Sequence, residues 1–248
     1  MMHNLRQQWA SSVVYNAWLT IPSPWSAEVL ATAGFPSPTI DLQHGLIDDP
    51  TALHILHAID QQRCPVLVRL AWNEPAAIMR ALDRGAAGII APLINSPADA
   101  RALVAACRFP PEGMRSYGPV RVGVAYGVAE PAAVARLPVV MPMIETASAL
   151  EQVEEIAAVP GIDGLYVGPA DLSLSLGLSV PVDFTAPAFQ SALARVVAAC
   201  RSRGLAVGIY ARPELAADLA ALGFNFITIA NDTDLLMNAA VAALRAVQ

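Results

Sequence analysis

Two carboxylates stand where a lone charge would be costly. Glu145 directly follows the apolar run VVMPMI, and Asp171 follows the run GLYV through Gly168, Pro169 and Ala170. An ionised side chain at the end of an apolar segment needs a partner or a metal. Two hard oxygen ligands with room left for water and substrate suit a divalent cation such as Mg2+ or Mn2+. Each residue also has a structural reading: Glu145 can cap the helix after it, and Asp171 can form a turn with Pro169 or pair with an arginine. At the ends of neighbouring strands, the pair favours the metal.

Two further residues fit chemistry at such a centre. His44 precedes Gly45 in the segment DLQHG, and histidine is the side chain best matched to proton transfer near neutral pH. Arg69 interrupts the apolar stretch CPVLVRLAW, where a guanidinium calls for an anionic partner, a substrate carboxylate or an enolate oxygen. A structural histidine and a buried Arg–Asp pair are the competing readings, and Asp41 and Asp83 are the carboxylates suited to hold Arg69 or orient His44. His54 and His57 lie three apart with no third ligand evident, and Cys64, Cys107 and Cys200 are widely spaced in apolar or helical surroundings. These read as structural residues, the cysteines as reduced thiols.

All fifteen cations are arginine, and the chain has no lysine. That excludes Schiff-base aldol chemistry, lysine-bound pyridoxal phosphate and the P-loop. Any aldol cleavage here must therefore use a metal.

The elements that would position these residues alternate along the chain. Short apolar runs near 13–18, 38–42, 66–70, 88–92, 139–144, 164–167, 206–209 and 226–229 read as strands. Amphipathic stretches at 26–33, 51–62, 75–84, 96–107, 147–157, 188–203, 213–222 and 232–247 read as helices. Ser96 is a fitting N-cap, and Gly34, Gly85, Gly204 and Gly223 sit where helix-ending glycines belong. Eight βα units in 248 residues predict one α/β domain, 1–248, folded as a (β/α)8 TIM barrel with its active site at the C-terminal strand ends. The aperiodic segment 109–130 is expected to be functional, with Arg115, Tyr117 and Arg121 as candidate substrate contacts.

A net charge of −6 without a basic stripe argues against nucleic acid. The chain is 55% hydrophobic, yet charged residues or proline interrupt each apolar stretch well short of the ~20 residues that span a bilayer, so no membrane association is expected. The first residues lack a secretory pattern, and a cytoplasmic location is expected.

The segments IDLQHGLID, VRLAWNEPAAIMRALDRGAAGIIAPLINSPADA, RFPPEGMRSYGP and PMIETASALEQVEEIAAVPGIDGLYVGPADLSLSLG closely resemble the HpcH/HpaI aldolase family, and the resemblance runs from about 14 to 231. It implies reversible cleavage of a 4-hydroxy-2-oxo acid to pyruvate and an aldehyde, with Mg2+, Mn2+ or Co2+ as cofactor. The implied metal ligands are Glu145 and Asp171; Arg69 would stabilise the enolate, and His44 would move the proton with Asp83 as its acidic partner. Backbone N–H groups around Ala170 and Asp171, in the run Gly168, Pro169, Ala170, Asp171, would receive the pyruvate carboxylate. The resemblance further implies a homo-oligomer, trimer or hexamer, with the last helix exchanged between subunits. One departure is Met143, where some members carry glutamine. The alternatives are a related lyase or decarboxylase acting on an acyl-CoA or oxaloacetate-type substrate, and a non-catalytic barrel that binds small acids.

Overall fold

The computed structural model describes residues 5–59, 64–127, 130–136 and 138–247. Eight parallel strands close into a barrel in sequence order: β1 Val14–Leu19, β2 Thr39–Asp41, β3 Leu67–Arg69, β4 Gly88–Ala91, β5 Val139–Ile144, β6 Gly164–Val167, β7 Ala206–Tyr210 and β8 Phe226–Asn231. Most strand residues are buried, the condition under which parallel strands read as unbroken apolar runs. Helices follow the strands: α1 Leu5–Ser11 before β1, α2 Pro24–Thr32, α3 Asp49–Ala58, α4 Pro75–Asp83, α5 Pro97–Cys107, α6 Val120–Tyr126, α7 Pro131–Arg136, α8 Ala147–Glu151, α9 Val153–Ala157, α10 Pro169–Ser175, α11 Pro187–Arg201, α12 Ala216–Leu222 and α13 Asp232–Arg245.

Caps fix where many of these helices begin. The side chains of Ser23, Asp48, Ser96, Thr146 and Asn231 each accept from the backbone N–H three residues on, relieving amides that the first helical turn leaves unpaired. The four expected helix-ending glycines all have positive φ. Part of the expected helix 51–62 falls on 60–62, outside the described residues.

Besides α7 and α10, helices that the sequence pattern does not predict, three elements depart from expectation. The stretch 147–157 is two short helices that break at Gln152, whose amide donates to the Asn95 carbonyl at 2.9 Å. The described residues of segment 109–130 contain α6, and because they lie between α5 and β5 they belong to the N-terminal face of the barrel rather than the C-terminal one. An unexpected helix, α1, buries Leu5 and Trp9 against the barrel interior, with the Trp9 ring 5.3 Å from Phe226 and Arg6 paired to Asp163 at 2.6 Å.

The barrel interior above this plug is aromatic and polar. Tyr166 Oη and Thr228 Oγ1 are 2.6 Å apart, Thr228 Oγ1 donates to Asn16 Oδ1 at 2.9 Å, and Asn16 Nδ2 donates to Thr39 Oγ1 and to the Ser37 carbonyl. These groups are all fully buried, so the network satisfies donors and acceptors that water cannot reach.

Candidate active site

The C-terminal strand ends meet at a mouth of about 260 Å3 lined by Trp18, Asp41, His44, Arg69, Met143, Tyr166, Gly168, Pro169, Ala170, Asp171, Tyr210 and Asn231. Strand register decides who meets whom. Asp41 and Arg69 are direct partners between β2 and β3, and the guanidinium closes the pair with Nε to Oδ1 and Nη2 to Oδ2, each at 2.8 Å. Both residues are buried, and the Trp18 ring lies 4.1 Å from the guanidinium carbon, which adds a cation–π contact. Asp41 thus realises the buried-pair reading for Arg69. Nη1 is the end of the fork not spent on Asp41.

The same Asp41 Oδ1 accepts from the backbone N–H of Gln43 and His44 at 3.0 and 3.3 Å. One carboxylate therefore sets both the arginine and the bend that carries His44. Gly45 completes the bend, because a Cβ there would collide with the Asp41 carbonyl. His44 is exposed at the rim of the mouth.

Glu145 and Gly168 follow the paired residues Ile144 and Val167 of β5 and β6, so they stand level. A Cβ on Gly168 would lie 2.6 Å from Glu145 Oε2; only glycine leaves that oxygen its place. Glu145 is buried, its Oε1 accepts from the Leu93 N–H at 2.6 Å, and its Oε2 has no hydrogen-bond partner. Burial pushes this carboxyl above the usual glutamate range and the Asp171 charge pushes it further, while the Leu93 N–H and Arg69 oppose the rise. Leu93 makes its contact at φ 53, the one positive φ outside glycine among the described residues, a conformation that costs an ordinary side chain roughly 1–2 kcal/mol.

Asp171 lies in the first turn of α10. The first intrahelical bond there runs from Leu172 N to Gly168 O, so the amides of Ala170 and Asp171 are unspent donors at the mouth. A buried, unpartnered carboxylate oxygen beside a second carboxylate fits a divalent cation. No group of three or more His, Cys, Asp or Glu suited to a metal exists among the described residues.

Asp83 is not brought to His44 within the chain. It ends α4, and a helix following a strand carries its C-terminal end to the opposite face of the barrel. There it binds Arg115 Nη2 at 2.7 Å. The candidate contacts of the long segment are on that face too: Arg115 is buried with its guanidinium 4.7 Å from the Phe109 ring, Arg121 donates to the Arg84 and Leu56 carbonyls, and Tyr117 packs on Phe109. None of them lines the mouth.

The sequence reading missed Trp18, Tyr210 and Asn231. Tyr210 Oη accepts from Asn231 Nδ2 at 2.8 Å, and a shift in the β1–β8 register after Asn16 sets Trp18 level with Asn231, the re-aiming a bulge produces. Tyr210 and Asn231 fell just beyond the expected strand ends; extending each strand by a residue or two would have exposed them.

A closed parallel barrel with a carboxylate pair, an arginine and a histidine at its C-terminal mouth defines an enzyme-type (β/α)8 architecture. The chain belongs to the HpcH/HpaI aldolase/citrate lyase family, whose model matches residues 15–239. It is 39% identical over 229 residues to a hydroxypyruvate/pyruvate aldolase of Rhizorhabdus wittichii, covering 90% of this chain and 89% of that protein. It is 35% identical over 236 residues to a 4-hydroxy-2-oxo-heptane-1,7-dioate aldolase of Klebsiella pneumoniae, covering 91% and 86%. The crystal structure of an HpcH/HpaI aldolase/citrate lyase family protein from Burkholderia cenocepacia superposes with a TM-score of 0.88 at 34% identity, covering 98% of both chains.

Proposed function

We propose that this chain, acting as one barrel domain, is a divalent-cation-dependent aldolase that reversibly cleaves 4-hydroxy-2-oxo acids to pyruvate and an aldehyde. The observation that carries the reading is the unpartnered Oε2 of buried Glu145, packed against Gly168 behind the wall of the mouth that Asp171, Arg69 and His44 line. Glu145 and Asp171 hold the cation; Mg2+, Mn2+ and Co2+ all suit two carboxylate oxygens. When bound, the cation supplies Lewis-acid charge that stabilises the enolate released as the C–C bond breaks.

The chain's own groups do the rest. The amides of Ala170 and Asp171 receive the substrate carboxylate, and Gly168 keeps that approach open. Arg69, held in orientation by Asp41 and Trp18, directs a guanidinium N–H at the keto oxygen as it gains charge. His44 takes the proton of the 4-hydroxyl and returns it to the pyruvate enolate carbon. Trp18, Thr20, Tyr210 and Asn231 complete the wall of the mouth.

The assembly is proposed to be a homo-oligomer, a trimer or hexamer. Helix α13 supports this: Leu235, Leu236, Met237 and Leu244 are exposed, although its root is pinned where the Asp232 carboxylate accepts from Thr20 and Ile21. An apolar helix anchored only at its root is suited to seat on a second copy. No helix among the described residues is long and apolar enough to cross a membrane, and three free thiols support a cytoplasmic setting.

The test is a panel of 4-hydroxy-2-oxo acids assayed with Mg2+ or Mn2+ for pyruvate release through a coupled dehydrogenase. Metal-dependent pyruvate and aldehyde in equal amounts support the proposal. Turnover of oxaloacetate or an acyl-CoA alone would assign the site to the related lyase chemistry instead.

A further inference from the structure

Glu145 is held by something other than its own helix. Its Oε1 is taken by the backbone N–H of Leu93 at 2.6 Å, just beyond the neighbouring strand β4, and Leu93 itself has φ 53. The turn containing Leu93 is in turn fastened to residues that follow Glu145 in the chain. Asn95 Oδ1 accepts from Thr146 Oγ1 at 2.5 Å, and the Asn95 carbonyl accepts from Gln152 Nε2 at 2.9 Å and Ser148 Oγ at 3.4 Å. Asn95 Nδ2 closes back on the Leu93 carbonyl at 3.3 Å, and the Asn95 N–H is held by Asp99 Oδ2 at 3.1 Å. The other carboxylate oxygen is hemmed in by Gly168 and left without a partner.

We propose that the turn formed by Leu93, Ile94 and Asn95 is a positioning device that commits Glu145 to the cation through Oε2 alone, with the Leu93 amide as its working donor and Asn95 as its fastening to the Thr146 turn. A backbone amide cannot rotate away as a side chain can, so the orientation of the carboxylate is set before any ligand arrives, and no ordering is left for the binding step. Occupying one oxygen also has a chemical result. A carboxylate that binds through a single oxygen uses one coordination position instead of two, which would leave positions on a bound cation for Asp171, substrate and water. The positive φ of Leu93 turns the chain onward to Asn95, and strain of this kind persists where the surroundings over-determine it. Partners that orient a metal ligand typically change metal affinity roughly 10- to 100-fold when removed.

The inference rests on the placement of the cation at Glu145 and Asp171, and its test separates the two. Mn2+ binding to the full-length protein without substrate is measured by calorimetry for the wild type, for Glu145→Gln, for Asn95→Ala, and for a protein in which the Leu93 amide is replaced by an ester through incorporation of the matching α-hydroxy acid. The ester removes the N–H and keeps the side chain. The expected result is tight binding by the wild type, loss in Glu145→Gln, and a roughly 10-fold or larger rise in Kd for both the ester and Asn95→Ala, with circular dichroism unchanged. If the ester fails to fold, Asn95→Ala, which leaves the main chain intact, decides alone. A purely structural role for the turn would lower the melting temperature while leaving the Mn2+ affinity of the folded protein at the wild-type value, and that result overturns the inference. If the wild type itself binds no Mn2+, the carboxylate reading falls and this one with it.

Discussion

Asp41 and Arg69 are register partners on adjacent parallel strands, and the bidentate pair they form, 2.8 Å at both contacts, follows from that register. The same Asp41 oxygen that binds Arg69 Nε also receives the backbone of His44. The arginine that would face the substrate oxygen and the histidine that would move the proton are therefore set by one buried carboxylate.

Arg69→Lys keeps the charge and loses the fork that Asp41 grips. Loss of one oriented donor to a developing oxyanion costs roughly 100- to 1,000-fold in kcat, and that drop is expected here with a smaller change in KM. Steady-state kinetics of pyruvate release checks it. Asp41→Ala leaves a guanidinium buried without its partner, so a loss of about 3–5 kcal/mol in stability is expected in urea unfolding.

Glu145 gives a pH-dependent stability effect in the metal-free protein. Its folded pKa is raised above 4.5, first by burial and then by Asp171. A raised acid favours folding below its unfolded pKa and loses that contribution as pH rises through the folded value. Metal-free Glu145→Gln, which keeps the shape without the buried charge, is expected to melt higher than metal-free wild type at pH 8. The gap should close as pH falls below about 4.5. Melting curves in EDTA across this range measure it; a gap that widens toward acid would contradict the assignment.

Gly168→Ala would put a methyl 2.6 Å from Glu145 Oε2 and 2.9 Å from its Cβ. The carboxylate must move, and Mn2+ affinity should fall by roughly 10-fold or more with the fold retained. Calorimetric titration reads this directly.

Thr228→Val removes a hydroxyl that serves both Tyr166 and Asn16. Stranding buried polar atoms costs about 1–3 kcal/mol, expected as a lower urea midpoint. Adding Tyr166→Phe should recover part of the loss, since one stranded group is then gone.

Most of this architecture was legible in the sequence, and for a physical reason. Strands buried on both faces leave unbroken apolar runs, and helices end at glycines, so the βα alternation shows. Arg69 and Glu145 were legible because a charge interrupting or ending such a run stands out. Leu93 was not, since a backbone donor carries no side-chain signature and φ is invisible in a leucine. Trp18 was hidden because an aromatic residue in a strand reads as core, and Tyr210 because the expected strand stops one residue short of it. Arg115, Tyr117 and Arg121 do not line the mouth, and the position of their segment after a helix contained the reason: a connection from helix to strand lies at the N-terminal end of the barrel.

The central claim is most directly tested by pyruvate release from a 4-hydroxy-2-oxo acid after EDTA treatment, followed by re-addition of Mn2+ or Mg2+ to wild type and to Glu145→Gln. Activity lost with EDTA, restored by the cation in wild type and not restored in Glu145→Gln is the predicted result. Full activity in EDTA-treated protein, or unchanged turnover in Glu145→Gln, would contradict it.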